Sequence, residues 1–423
     1  MNQPHKKIRF DRRAFLTGAA AGLAAGLGGA ARAEEADPLQ DLMQRNQEGE
    51  FSRSFDAAAN SKRMPSTTLP TLSPATTQTT EAALAQYEQI VAQGGWPVVP
   101  PAERLRVGMK HPSVKPLRER LIAAGDLDTR VGINDIYDTY VEAAVRRFQA
   151  RHGLSVDGVV REPTLRSLNV PAEARLNQLR TNIVRLRAFS GALGPRSVMA
   201  NIPAAWIEAV ENGVAVSRHT AVAGKPDRPS PDIQSKIVEI NFNPYWTVPV
   251  SIVRRDLIPK MQAEPDYLTN NRIRIFDMRG DELTPSQINW YSNEAVNYRF
   301  KQDPGDFNSL GSIRINFPSA HGVYMHDTPL KNLFGEDVRF HSSGCMRIQN
   351  VRELVNWLLS ETNGWSRIEI DDVIRSGERK DAKLKPQVPL HWIYVTGWAT
   401  ADGVVQFRDD IYNRDGLAPV SRG

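Results

Sequence analysis

The sequence predicts an α+β protein with a small three-helix domain ahead of a larger β-rich domain. Three observations point there. Between residues 104 and 190 apolar side chains recur at helical spacing, and from about 196 they alternate with period two. Glu211-Asn212-Gly213 between two alternating runs marks a tight hairpin. With 423 residues, 41% hydrophobic and 24% charged, the chain is long enough for two or three soluble domains.

The formal charge of +5 suggests a polyanionic partner, but its distribution does not. Residues 1–33 hold six basic side chains against Asp11 alone, which leaves 47 basic and 47 acidic side chains in the remainder. A balanced chain gives no electrostatic reason to bind nucleic acid.

Residues 1–33 read as an export signal: a basic start with Arg12-Arg13-Ala14-Phe15-Leu16, an Ala/Gly/Leu stretch, and Ala31-Arg32-Ala33 as a small-x-small cleavage pattern. The paired arginines resemble a twin-arginine signal, which predicts a periplasmic protein with no membrane span after signal removal. Residues 34–80, ending in a Pro/Ser/Thr-rich run, are expected to be a disordered tether. Residues 81–103 form a short helix stopped by Gly94-Gly95, then an extended segment through Trp96-Pro97.

Residues 104–170 form the three-helix unit. Val114, Leu117, Leu121 and Ile122 share one face, Val141, Ala144, Val145 and Phe148 another, and a short third helix runs through Leu165 and Leu168. Residues 171–195 hold a connecting helix striped by Leu176, Leu179, Ile183 and Leu186. Residues 196–378 are the β-rich domain, with strands over 197–202, 206–210, 214–222, 236–242, 312–317 and 322–326. A polar, irregular insertion at 262–307 is read as a lid or a packed decoration. A helix follows from Val351, with Asn350 as its N-cap. Residues 379–423 form a hairpin, 389–398 against 403–408, and a tail.

The chemistry concentrates in residues 324–350. They hold the one cysteine, Cys345, with His326 and His341, and His321 lies just upstream. In an exported protein an unpaired cysteine suggests a reactive thiol. At its ordinary pKa of ~8.5 a thiol needs a base or a positive field, and His326, His341 and His321 are the candidate bases. Four metal ligands are the competing constellation. The five-residue spacing of His321 and His326 fits no single-face helical pair, and one cysteine is few for structural zinc, so no metal is expected.

Two resemblances sharpen this. AVRRFQARHGLSVDGVV, with Phe148, Gln149, Gly153 and Asp157, resembles the peptidoglycan-binding module of bacterial wall enzymes. YMHDTPLKNLF and HSSGCMR, together with Asn243-Pro244-Tyr245-Trp246-Thr247-Val248-Pro249, resemble the YkuD-type catalytic domain of the larger periplasmic L,D-transpeptidases. The resemblance implies Cys345 as nucleophile, His326 as general base, Arg347 and Tyr324 beside the substrate, and no cofactor. Ser343 stands where the motif usually carries a second histidine, a substitution also found in the larger branch, and is expected to line the substrate site. Backbone N–H groups of Gly344 and Cys345 would stabilise an oxyanion. The implied reaction joins two stem peptides, donor and acceptor, by a 3-3 cross-link through a thioester, releasing D-alanine. Three other outcomes stay open: hydrolysis of the same acyl-enzyme (carboxypeptidase or amidase activity), attachment of a wall protein through a lysine amine, and an inert wall-binding protein.

Overall fold

The computed structural model describes residues 67–191 and 193–416. The export signal, residues 34–66 of the expected tether and the last seven residues lie outside the described residues. Among the described residues no helix is long and apolar enough to cross a membrane.

The part of the tether within view is folded. Thr71 donates from its N–H and hydroxyl to the Glu208 carboxylate at 2.8 and 3.1 Å. The Ala215 N–H donates to Thr68 O at 2.8 Å, and Leu72 is fully buried. Helix α1 spans Pro74–Ala92, seven residues ahead of the expected start. Ser73 Oγ caps it by accepting from the Thr76 N–H, and Pro74 occupies its first turn, where a missing N–H costs nothing. Of the threonines that read as a loop, Thr71, Thr76, Thr77 and Thr80 are buried, and Thr80 donates to Thr76 O at 2.6 Å.

The small domain holds α2 (Val114–Ala123), α3 (Thr139–Arg151) and α4 (Glu162–Leu168) around Val114, Leu117, Tyr137, Val145 and Phe148. Helix α5 (Ala172–Phe189) packs along α1. The Arg151 guanidinium pairs with Asp126 at 2.5 Å and donates to Val405 O at 3.4 Å, and Arg408 donates to Arg151 O at 3.0 Å. These bonds fasten the small domain to the large one.

Among the described residues fifteen strands organise the large domain. β1 (Arg196–Asn201), β2 (Trp206–Glu211), β3 (Val214–Gly224) and β4 (Ile233–Phe242) come first. The insertion region holds β5 (Trp246–Thr247), β6 (Ile273–Phe276), β7 (Glu282–Leu283) and β8 (Arg299–Gln302). β9 (Ile313–Asn316), β10 (Met325–His326), β11 (Phe340–Ser342) and β12 (Met346–Ile348) follow. β13 (Lys380–Ile393), β14 (Gly397–Ala399) and β15 (Val405–Phe407) complete the set. The main sheet runs β11-β3-β12-β10-β9-β4-β13-β1-β2, and a β2–β3 pairing closes eight strands into a ring. Its core gathers Ile240, Ile313, Ile315, Met325, Met346, Ile348 and Trp392, covered by the helix Val351–Leu359.

Two expectations about the large domain are corrected, and a third holds in place but not in detail. The boundary at 378 cuts the sheet: β13 lies within it, parallel to β1 and antiparallel to β4, and the small hairpin is β14–β15 alone. The alternation of Ala382, Leu384, Val388 and Leu390 is that of a strand, broken by a bulge between Lys383 and Val388. The insertion is not irregular: β5-β8-β6-β7 form a four-stranded sheet over a core of Val253, Leu257, Ile275 and Phe300. Asn350 stands at the N-cap position but with φ 53°, and its side chain makes no cap bond.

Candidate active site

Strands β10 and β12 run side by side and parallel, pairing Met325 with Met346 and His326 with Arg347. Side chains alternate across a sheet. Met325 and Met346 therefore enter the core, while Tyr324, His326, Cys345 and Arg347 share the opposite face. β9 extends that face by pairing Arg314 with His326. Five candidate site side chains thus come together through the register of three short strands.

The turn before Cys345 is held by its own hydroxyls. Ser342 Oγ accepts from the Gly344 N–H at 3.1 Å and donates to Cys345 O at 2.5 Å, and Ser230 Oγ donates to Gly344 O at 2.9 Å. Gly344 has φ 114°, a conformation that a side chain strains. Its N–H is engaged by Ser342, so of the two groups expected to form an oxyanion hole, Cys345's is the one with no acceptor among the described residues.

Cys345 is half-buried. Burial pushes its thiol up to about 11, opposed by hydrogen bonds from the Tyr324 backbone and hydroxyl and by the charges of Arg314 and Arg347. Trp246, on β5 of the insertion sheet, donates its indole N–H to the Tyr324 hydroxyl at 3.1 Å. The Arg314 guanidinium lies 4.2 Å over the Tyr324 ring. His326 is buried. Desolvation, with Arg347 and Arg314 adding to it, brings its pKa down to about 3, so the ring is neutral. Its Nδ1–H donates to the Asp327 carbonyl oxygen, which orients the ring and leaves Nε2 as the basic nitrogen. The Asp327 carboxylate faces elsewhere, accepting from the Ser312 N–H and hydroxyl at 3.1 and 3.0 Å and from Lys331. Burial lowers Arg347 to about 10, and Arg347 Nε and Arg314 Nε have no protein acceptor among the described residues.

The other histidines stand apart. His341 Nε2 meets Glu336 Oε2 at 2.9 Å and Val338 O at 2.8 Å, and His321 sits on an exposed turn. Among the described residues no three His, Cys, Asp or Glu side chains cluster as metal ligands do. Ser343 is exposed, and its hydroxyl accepts from Arg228 Nη1 at 3.0 Å. Sequence reasoning missed Arg314, Trp246 and the Asp327 carbonyl. Arg314 carried one signal, a charge between two isoleucines in a strand whose other face is core.

The arrangement is a thiol and a neutral imidazole on one sheet face, flanked by two cations. Residues 195–371 match the family model described as the L,D-transpeptidase catalytic domain, YkuD. The chain carries a YkuD L,D-transpeptidase catalytic domain. Residues 110–168 match a second model, "Putative peptidoglycan binding domain", a stretch that includes α2, α3 and α4. A curated protein of Haemophilus influenzae, "Putative L,D-transpeptidase", is 30% identical over 254 residues, 60% of this chain and 50% of that protein. The chain thus spans half the length of the curated relative it matches. Among solved structures, an L,D-transpeptidase from Mycobacterium smegmatis aligns at 13% identity and TM-score 0.24, covering 47% of this chain and 58% of the other. One from Xylanimonas cellulosilytica aligns at 14% and 0.23, covering 70% and 99%. The YkuD match ends before β13, which the fold nevertheless places inside the same sheet as β10 and β12.

Proposed function

We propose that the protein is an exported cysteine L,D-transpeptidase that forms 3-3 cross-links between peptidoglycan stems. The observation that carries this reading is the shared face of β10 and β12, which puts Cys345 on the same side as a buried histidine whose Nδ1 is already committed. His326 Nε2 takes the thiol proton as sulfur attacks the carbonyl between the third residue and the terminal D-alanine of the donor stem. With the thiol near 11 and the imidazole near 3, both rest neutral, so proton transfer accompanies attack and no ion pair precedes it. The tetrahedral oxygen is stabilised by the Cys345 N–H. Collapse expels D-alanine, whose amine takes the proton from His326, and leaves a thioester on Cys345. The side-chain amine of a second stem then attacks the thioester, His326 again accepting its proton, and the thiol is restored.

Arg347 and Arg314, each with an unmatched Nε–H, are suited to hold a substrate carbonyl or carboxylate. Both domains fit a wall polymer as substrate, the helical unit anchoring the enzyme on it and the twin-arginine-type start delivering it to the periplasm. Muropeptide analysis of wall material treated with the wild type and with Cys345→Ala tests the reading. Cross-linked dimers that require Cys345 are expected; trimmed monomers alone would make the enzyme a hydrolase, and dimers from Cys345→Ala would remove the cysteine from the reaction.

A further inference from the structure

A cavity of about 250 Å³ adjoins the turn that precedes Cys345, with Val323, Ser343 and Gly344 on its wall. Its charged lining is cationic, Arg228 and Arg255, and His321 also lines it. The two arginines differ. Arg228 is built in, donating to Asp256 at 2.6 and 2.9 Å and to Ser343 Oγ at 3.0 Å. Arg255 is exposed, and its side chain makes no hydrogen bond or ion pair with the described residues.

The local backbone explains how Arg255 reaches the cavity. The helix over 250–263 changes register partway: Val250–Ile252 is α, Val253–Leu257 is π, and Ile258–Ala263 is α again. Pro259 has no N–H to give to the Arg255 carbonyl and clashes with it, so the regular ladder cannot pass this point. Wide turns of this kind cluster at functional sites. Here the wide turn carries Asp256, which fixes Arg228, and Arg255, which lines the cavity.

We propose that this cavity is a carboxylate subsite of the peptide cleft, in which Arg255 supplies the ion-pairing cation and the Arg228–Asp256 pair holds the wall and Ser343 in place. It rests on the reading that Cys345 acylates a stem peptide, and adds that a free carboxylate lies close to the reacting carbonyl. Both the donor and the acceptor stem carry such a group on the diamino acid, so the two are tested separately.

The test uses the full chain with Cys345→Ala, so that binding is read without turnover. Synthetic stems with the diamino-acid carboxylate free or amidated are titrated calorimetrically, in a donor form ending in D-alanine and an acceptor form lacking it. In at least one form the free carboxylate binds about fivefold more tightly, as one partly exposed ion pair allows. Arg255→Glu in the same background removes or reverses that preference, Arg255→Lys keeps it, and an unchanged Tm shows the exposed substitution leaves the fold intact. Equal affinity for free and amidated peptides in both forms, a preference that survives Arg255→Glu, or no measurable binding overturns the subsite. Failure of the wild type to acylate counts against the proposed reaction and leaves the binding result standing.

Discussion

The two faces of the β10–β12 pair contrast more sharply than any two domains. On one face Met325, Met346 and Ile348 are fully buried among aliphatic neighbours. On the other, one residue away in each strand, lie Tyr324, His326, Cys345 and Arg347. The same backbone hydrogen bonds hold both. The apolar face draws its stability from packing, so it fixes the register to within a residue. The polar face spends that precision on chemistry: a shift of one residue would carry Cys345 into the core and Met346 into the cleft. The site is accurate because its reverse side is a core.

Substitutions on the two faces should therefore separate activity from stability. The largest effect belongs to Cys345→Ala, which should abolish acylation while shifting Tm little, checked by product analysis and thermal melts; a parallel collapse in Tm would show that the polar face also carries the fold. Next, His326→Gln should slow acylation by about 10²–10⁴-fold, the usual share of a general base, in stopped-flow measurements. Met346→Ala should do the reverse, costing about 2–5 kcal/mol in denaturant unfolding, with the remaining folded protein still acylated. A smaller effect is expected of Trp246→Phe, which removes the indole donor from the Tyr324 hydroxyl: about fivefold in acylation rate, from the loss of one hydrogen bond of roughly 1 kcal/mol.

The weakest expected dependence is on pH. With His326 held down to about 3 and Cys345 up to about 11, the neutral pair persists between those values. Acylation should be flat from about pH 5 to 9, falling only when acid protonates the imidazole. An inflection near 6.5 would mean a solvated histidine. The stability sign is also set. A folded-state pKa below the unfolded value means His326 stays neutral while the unfolded chain takes up a proton. Its contribution is intact above pH ~6.5 and declines as pH falls toward 3.

The contrast also explains what the sequence made legible. Strands 206–211 and 214–224 announced themselves by apolar runs on either side of the Asn212-Gly213 turn, as did the helices by their stripes. The thiol and its turn were readable because cysteine and glycine are chemically distinctive. Three things were not. β13 is interrupted by a bulge and followed by a true hairpin, so its alternation was divided between the wrong elements. The insertion's strands are two to four residues long, and beyond the short β6–β7 hairpin their pairings, β5–β8 and β6–β8, join residues more than twenty apart. The group that orients His326 is a backbone carbonyl, which leaves no mark on residue identity. The folded stretch at 67–80 was missed for a related reason: its threonines bury hydroxyls bonded to backbone oxygens, and composition alone counts them as polar.

The central claim is that Cys345 is the nucleophile that this sheet face activates. Intact-mass measurement after incubation with a carbapenem tests it most directly. A single adduct, mapped to Cys345 by peptide sequencing and missing from Cys345→Ala, is the result expected. An adduct retained by Cys345→Ala, or none on the folded wild type, would contradict it.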